Sequence, residues 1–399
     1  MAQKLYEEIN IQAIANAIRA KNGLTTTYKT SEMAGAIEAI QTCSGTTPTE
    51  PVLSSEITFY DYDGTILYAF TREQAQALTA LPDAPAHNGL IFDGWTHTLE
   101  QVKATKTVLK VGATYKTDDG TTRIHIHLED GRTSPCLTLK MLLDNTATID
   151  WGDGTTVDTL TGRGTTTGDT SLEHKYHNYA VAGDYVIKLT GGTIAGSGSN
   201  NNDTHSYLLR YMPVLANADT RDRVYQRTIK KVEMGTHTSL DDYGFAICDN
   251  INSVVIPNPN NNSSIYPYVF EKSTHLNTIV LPNKITSINE NAFYQCYTLT
   301  NIIMSGVISI GARAFFNCYA LPNVVFPSTI HSIGNYAFYG CGGVKYYDFT
   351  ACSSVPTLGG TNAFNGMPAD CEIRVPASLE TTWKNATNWT TYADYIVGV

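Results

Sequence analysis

Ile310-Gly311-Ala312-Arg313-Ala314-Phe315-Phe316-Asn317-Cys318 and Ile333-Gly334-Asn335-Tyr336-Ala337-Phe338-Tyr339-Gly340-Cys341 are one phrase written twice. Its frame places an aromatic residue three positions before a small residue, with a leucine-like residue three further on. That frame recurs as Phe245…Cys248…Ile251, Phe270…Ser273…Leu276, Phe293…Cys296…Leu299, Phe315…Cys318…Leu321 and Phe338…Cys341…Val344, at spacings of 22 to 25 residues. An alternating apolar run follows each, usually closed by Pro. A second rhythm runs through Ile285-Thr286-Ser287-Ile288, Val307-Ile308-Ser309-Ile310-Gly311 and Ile330-His331-Ser332-Ile333-Gly334. A period this short and regular predicts a solenoid over 237–372, in which each unit buries its apolar face only against its neighbours. Ala363-Phe364 reads as a last, degenerate unit. Residues 373–399 read as a C-terminal cap, with a strand from Glu372 to Val375, then Pro376, then a helix near Ser378 that carries Leu379 and Trp383.

Four of the eight cysteines follow the same rhythm, since Cys248, Cys296, Cys318 and Cys341 share one repeat position. Ser273 fills that position once, which points to a small core residue and not to disulfide pairing. There is no CxxC pair, so a zinc site is not expected. The net charge is −10 with no basic run, which argues against nucleic acid as a partner. No run of 18 apolar residues suggests membrane insertion. The opening Met1-Ala2-Gln3-Lys4-Leu5-Tyr6-Glu7-Glu8 has no apolar core, so no signal peptide is expected.

The phrases quoted first resemble bacterial surface-type leucine-rich repeats. Ahead of them, the chain reads as a series of modules. Residues 1–45 read as a helical docking segment, with Leu5, Ile9, Ile11, Ile14 and Ile18 at helical spacing, Gly23 as a stop, and a second helix after Thr30 or Ser31 carrying Met33, Ile37 and Ile40. Its phrase Ile14-Ala15-Asn16-Ala17-Ile18-Arg19, with Lys21, Gly23, Tyr28-Lys29 and Glu32-Met33-Ala34, resembles N-terminal segments of tail proteins of phages of Gram-positive bacteria. Residues 46–56 read as a linker.

Residues 57–115 open with Ile57-Thr58-Phe59-Tyr60-Asp61-Tyr62-Asp63-Gly64-Thr65-Ile66-Leu67, a strand, an Asp-Gly turn and a strand. A polar helical stretch from Thr71 to Ala80 and Phe92-Asp93-Gly94-Trp95 follow. The combination resembles small β-grasp-like repeats of bacterial surface adhesins. In 116–192, Ile149-Asp150-Trp151-Gly152-Asp153-Gly154-Thr155 precedes His177-Asn178-Tyr179 and Gly183-Asp184-Tyr185. That pair of signatures resembles the PKD domain, an immunoglobulin-like sandwich, and the resemblance implies that Asp153 braces its turn. Residues 193–236 read as a bridge. The expected fold class is therefore multidomain and mainly β: short N-terminal helices, a β-grasp-like module, a PKD-like β-sandwich and a C-terminal leucine-rich-repeat solenoid.

Two surfaces of the solenoid are candidates for binding. Alternation makes Ser253, Val255, Thr278, Val280, Asn301, Ile303, Asn323, Val325, Tyr346 and Asp348 the outward residues of a β-ladder, either a solvated sheet face or a contact face for a host molecule. The aromatic residues Tyr294, Phe316 and Tyr339, which follow the repeat Phe, and Tyr297 and Tyr319, which follow the repeat Cys, are the sharper candidates. Stacked on a turn surface they suit sugar rings or a protein partner, or they roof the core. His125 and His127 share a strand face but have no third ligand nearby, so a metal is not expected. Asp61-x-Asp63-Gly64 and Asp150-x-x-Asp153-Gly154 read as turns and not as calcium loops. No Ser/His/Asp set, nucleophile elbow, His-Glu-x-x-His or phosphate loop occurs, so the chain is not expected to be an enzyme, and no cofactor is implied.

These readings converge on a phage tail receptor-binding protein, present in the virion and released by host lysis. Its solenoid would recognise a bacterial host surface glycan or protein. Residues 1–45 would dock on other tail or baseplate proteins, and the assembly is expected to be a homo-oligomer. The alternatives are a bacterial cell-surface leucine-rich-repeat adhesin, a structural or decoration protein of the virion, and a polysaccharide-degrading spike.

Overall fold

The Asp-Gly hairpin forms where the sequence predicts it. In the computed structural model, which describes residues 56–130, 133–163, 170–194, 209–211, 228–236, 239–258 and 263–399, β1 (Ile57–Tyr60) pairs antiparallel with β2 (Ile66–Phe70). The helices expected in 1–45 and all but the last residue of the linker 46–56 lie outside the described residues. At the turn Gly64 takes a φ of 92°, and Asp61 N–H donates to Thr65 O across it at 2.8 Å. The helix expected from Thr71 is α1 (Arg72–Gln76), shorter than its polar run; Thr71 and Gln74 cap it reciprocally. After β3 (Leu90–Trp95), α2 (Leu99–Ala104) repeats the device with Thr98 and Gln101, and β4 (Leu109–Thr117) completes a sheet of order β2-β1-β4-β3. The central β1–β4 pair is parallel. Ile57, Phe59, Ala75, Val102 and Val111 fill the space between sheet and helices.

A two-sheet all-β unit follows. Its strands are β5 (Thr122–Leu128), β6 (Pro135–Leu142), β7 (Thr146–Asp150), β8 (Asp158–Thr161), β9 (Thr170–Tyr176), β10 (Gly183–Thr190), β11 (Thr193–Ile194), β12 (Leu209–Tyr211), β13 (Ile229–Glu233) and β14 (Ser239–Leu240). One sheet contains β13-β5-β10-β7-β8, and the other β12-β6-β11-β14 with β9 also on β6. The period-2 reading of β5 holds, since Ile124, Ile126 and Leu128 are buried and Arg123, His125 and His127 face out. Residues 193–236, expected as a bridge, are more than a connection, because β11, β12 and β13 are built from them.

The solenoid then stacks two parallel ladders. The short one is β16 (Ser264–Ile265), β18 (Ser287–Ile288), β20 (Ser309–Ile310), β22 (Ser332–Ile333) and β24 (Thr357–Leu358), with serine over serine until Thr357. The longer one is a row of β15 (Ser253–Val255), β17 (Thr278–Val280), β19 (Asn301–Ile303), β21 (Asn323–Val325), β23 (Tyr346–Asp348), β25 (Glu372–Val375) and β26 (Ile396–Gly398), paired as β17-β19 and as β21-β23-β25-β26, while β15 pairs with β13. Each Phe-x-x-Cys phrase makes the tight turn that joins them. The residues two before the phenylalanine (Tyr268, Asn291, Arg313, Tyr336) and two after it (Lys272, Gln295, Asn317) hold φ between 53° and 60°, and Gly340 takes the same role at 72°. This alternation aims every second N–H at the next coil: Arg313, Phe315 and Asn317 donate to the carbonyls of Asn335, Ala337 and Tyr339 at 3.1, 2.7 and 2.8 Å. The turn is thus a third hydrogen-bonded ladder, which offsets the cost of left-handed backbone at non-glycine residues.

Inside, the repeat phenylalanines form one stack. Successive ring centroids from Phe245 through Phe270, Phe293, Phe315, Phe338 and Phe364 lie 5.9, 5.3, 5.1, 5.0 and 5.7 Å apart. The stack ends on the predicted cap, where a 3-10 turn (Trp389–Tyr395) brings Trp389 and Tyr392 over Phe364, and α3 (Glu380–Lys384) sets Trp383 against Trp389 and Phe349. Tyr392 Oη accepts the Phe364 N–H at 3.0 Å, replacing the carbonyl that a further coil would supply.

The repeat cysteines are buried and free. Three of the thiols donate to the carbonyl of the preceding coil's phenylalanine: Cys296 to Phe270 at 3.1 Å, Cys318 to Phe293 and Cys341 to Phe315 at 3.2 Å. Ser273 makes the same bond to Phe245 at 3.1 Å. The position therefore selects a donor as well as a small volume. Cys318→Ser is expected to stay within about 1 kcal/mol of the parent in urea unfolding, whereas Cys318→Ala, which orphans a buried carbonyl, is expected to lose about 1–3 kcal/mol. Equal losses for the two variants would contradict the donor role.

One expectation is corrected. The outward face of the long ladder is not open along its first three coils, because β4 of the N-terminal module runs across β15, β17 and β19. Ser253, Val255, Thr278, Val280, Asn301 and Ile303 are all buried. Val255 packs with Tyr62, Leu90, Ala113 and Tyr115. Gly112 sits so close to the ladder that a Cβ there would fall 2.4 Å from Val280 Cγ1. Alternation along a strand says which side a residue faces, not what covers that side.

Candidate functional site

The two aromatic columns assemble from neighbouring turns. Tyr294, Phe316 and Tyr339 stack at 5.0 and 4.8 Å with nearly parallel planes, half-buried on the solenoid flank. Tyr297 and Tyr319 stack at 5.3 Å and are 36% and 49% exposed. The backbone spacing of adjacent coils sets these separations, so the rings are presented at a regular interval. The second column stops where the next coil has Gly342, above which a Cβ would meet nothing nearer than the Gly366 carbonyl at 4.0 Å. Two further pairs escaped the sequence reading: the buried Tyr243 stacks on Tyr268 at 4.4 Å, and the Arg313 guanidinium lies 5.1 Å over Tyr336. All four residues occupy the left-handed position before the phenylalanine, a periodicity visible in the sequence once that position is aligned.

The ladder candidates are in different surroundings. Asn301 is 8% exposed, and its Oδ1 accepts from Lys110 Nζ at 3.0 Å, so it belongs to the contact with the N-terminal module. Asn323 is half-buried on the next coil. Tyr346 lies under the Arg374 guanidinium at 4.0 Å, a cation–π contact between adjacent rungs.

In the sandwich, the two signatures separated in sequence meet. Trp151 is buried and stacks on His177 at 4.6 Å, and Tyr179 Oη donates to Trp151 O at 2.9 Å. Asp153 accepts from Thr155 N–H and Oγ1 at 3.1 and 2.6 Å, and lies 2.7 Å from His177 Nε2. Burial works to raise the Asp153 pKa, but the bonds from Thr155 and His177 outweigh it and hold the carboxyl at about 2. Together these contacts brace the turn. His125 and His127 turn to separate carboxylates, Glu233 at 3.3 Å and Asp184 at 2.7 Å. Among the described residues, no group of three His, Cys, Asp or Glu is placed to hold a metal, and no helix is long and apolar enough to cross a membrane.

Stacked turns with a phenylalanine spine and two parallel ladders define a leucine-rich-repeat solenoid. Residues 238–370 match the family described as BspA type Leucine rich repeat region, in six copies. A leucine-rich repeat protein from Bacteroides ovatus overlays 37% of this chain and 37% of its own length at 19% identity, with a TM-score of 0.32. The T. pallidum leucine-rich repeat protein overlays 39% of this chain and 74% of its own at 21% identity, with a TM-score of 0.27. The chain thus spans little more than a third of the first of these structures. No curated protein matches.

Proposed function

We propose that this chain is an adhesion protein that recognises a glycan or protein on a bacterial surface, and that it is carried on a phage tail. The observation that carries the binding role is the exposed Tyr297–Tyr319 stack beside Tyr294–Phe316–Tyr339. Flat apolar rings with polar edges at fixed spacing suit the faces of successive sugar units or the side chains of a partner. The mixed β2-β1-β4-β3 sheet supports a β-grasp-like module and the Trp151–His177–Tyr179 set a PKD-like one, both acting as supports for the solenoid. The N-terminal phrase around Ile14–Arg19 supports the tail setting. Several copies in one virion would then add weak contacts through effective concentration.

The repeats themselves favour a second reading, a bacterial cell-surface adhesin built on the same solenoid. Immunodetection separates the two: the tail reading requires the chain in purified virions, and the other requires it in a bacterial envelope fraction.

The binding test uses the whole chain. Labelled protein is expected to bind host cells, and Tyr297→Ser with Tyr319→Ser is expected to weaken binding about tenfold, as for loss of about 1.4 kcal/mol. Gly342→Tyr, which adds a rung in open space, is expected to tighten it. Unchanged binding by the double variant would place recognition elsewhere.

A further inference from the structure

A cleft of about 770 Å3 lies between the N-terminal module and the solenoid. One wall is the end of α2 and the start of β4, with His97, Lys106 and Lys110; the other is made by successive coil turns, including Ser305, Ser328 and Thr350. The volume is that of a small-ligand site. Its charge is the unusual feature. The chain has 37 acidic against 27 basic side chains, yet no Asp or Glu lines this cleft, and its ionisable groups are two lysines and a histidine. The Lys110 ammonium donates to the neutral Asn301 Oδ1 at 3.0 Å and is in no ion pair with a described residue. The rest of the lining is rich in hydroxyls, from Thr105, Thr107, Thr286 and Thr329 as well as the serines.

We propose that this cleft binds a small anionic saccharide, a sugar ring bearing a carboxylate or a phosphate, with the anionic group on Lys110. A half-buried ammonium without a counter-ion is costly, and an anion completes it with a charge-assisted hydrogen bond. Burial holds the Lys110 amine down at about 8, and an anion beside it relieves that strain on the charged form. His97 is pushed down to about 4 by burial, so its neutral ring is left to serve sugar hydroxyls and not a second charge. Lys106, exposed at the rim, adds long-range attraction. The site shares no residue with the tyrosine columns and does not rest on their role.

Calorimetry on the whole chain tests it, with glucuronate, glucose 6-phosphate, inorganic phosphate and glucose as probes. One or both of the anionic sugars should bind, and the tighter of them identifies carboxylate or phosphate as the preferred group. Glucose should not bind, and inorganic phosphate should bind more weakly than glucose 6-phosphate. Lys110→Met should weaken binding about tenfold or more, Lys110→Arg should keep most of it, and the Tyr297/Tyr319 variant should leave it unchanged. Lys106→Ala, which touches no core, should weaken it about threefold and so tests the site even if Lys110→Met misfolds. The proposal is overturned if neither anionic sugar binds up to about 10 mM, if glucose binds equally well, or if both lysine variants keep the parent affinity.

Discussion

Phe315→Ala is expected to lower the stability of the solenoid by about 3–5 kcal/mol, the range for removing a buried aromatic ring from a core that cannot collapse around the hole. Phe315 is fully buried in mid-stack, 5.1 Å from the Phe293 ring and 5.0 Å from that of Phe338. Its neighbours cannot close in, because the turn bonds and the β18-β20-β22 ladder fix the coil spacing on both of its sides and the β21–β23 pair fixes it on one. The loss is about a third to a half of a mid-range domain stability of roughly 10 kcal/mol. In a stack coupled only through neighbours, such a lesion also weakens the link between its two sides. The four tryptophans report the sides separately: Trp95 and Trp151 lie before the lesion, and Trp383 and Trp389 in the cap beyond it. Urea titration of single-tryptophan variants should show the cap signal shifting to lower denaturant at least as far as the Trp151 signal. A change under 1 kcal/mol, or a shift confined to the Trp151 side, would contradict the stacked-core account.

Much of this architecture was legible because repetition averages out local ambiguity. One Phe-x-x-Cys phrase is compatible with many folds, but five in phase leave the solenoid. The strand at Glu372–Val375, the capping tryptophan Trp383 and the β1–β2 hairpin were readable from period-2 patterns and turn chemistry. The donor role of the cysteines was half-legible: Ser273 signals size and hydrogen bonding equally well, and only the carbonyl at 3.1 Å distinguishes them.

What escaped the sequence is everything set by one module lying on another. Nothing local to Asn301 or Val280 says that β4 covers them, since Lys110 and Gly112 stand more than 160 residues earlier. Gly112 carries the signal in retrospect, because a strand with a glycine among Val111, Ala113 and Tyr115 invites close approach of another chain segment. The aromatic columns were found for the opposite reason: their partners sit one repeat away, and a repeat is what the sequence displays. The anionic-ligand cleft was invisible because its two walls come from segments about 200 residues apart.

Residues 237–399 expressed alone are expected to be aggregation-prone and much less stable than residues 56–399, although the repeats suggest that they form a separate domain. In the whole chain β15 pairs in parallel with β13 of the sandwich, Lys231 against Ser253 through Glu233 against Val255. Met234 N–H donates to Val255 O and Asn252 N–H to Lys230 O, both at 2.9 Å. A cut at 237 removes those partners and leaves an open parallel edge. It also uncovers Val255, Val280 and Ile303, which are buried only while β4 lies over them. At about 1.5–3 kcal/mol for each such side chain, exposure costs as much as a small domain's whole margin. The hydrophobic core runs without a break from Trp151 and Ile194 of the sandwich through Phe245 to Trp389 of the cap, so the fragment is parted from the sandwich's part of a shared core. Size-exclusion chromatography and amide exchange decide the matter. The fragment should elute as aggregate or show fast exchange at Val254, Val255 and Ile279, whereas 56–399 should be protected there. A monomeric 237–399 with the melting temperature of 56–399 would show that the solenoid is self-sufficient and that the module packed on its ladder is only a visitor.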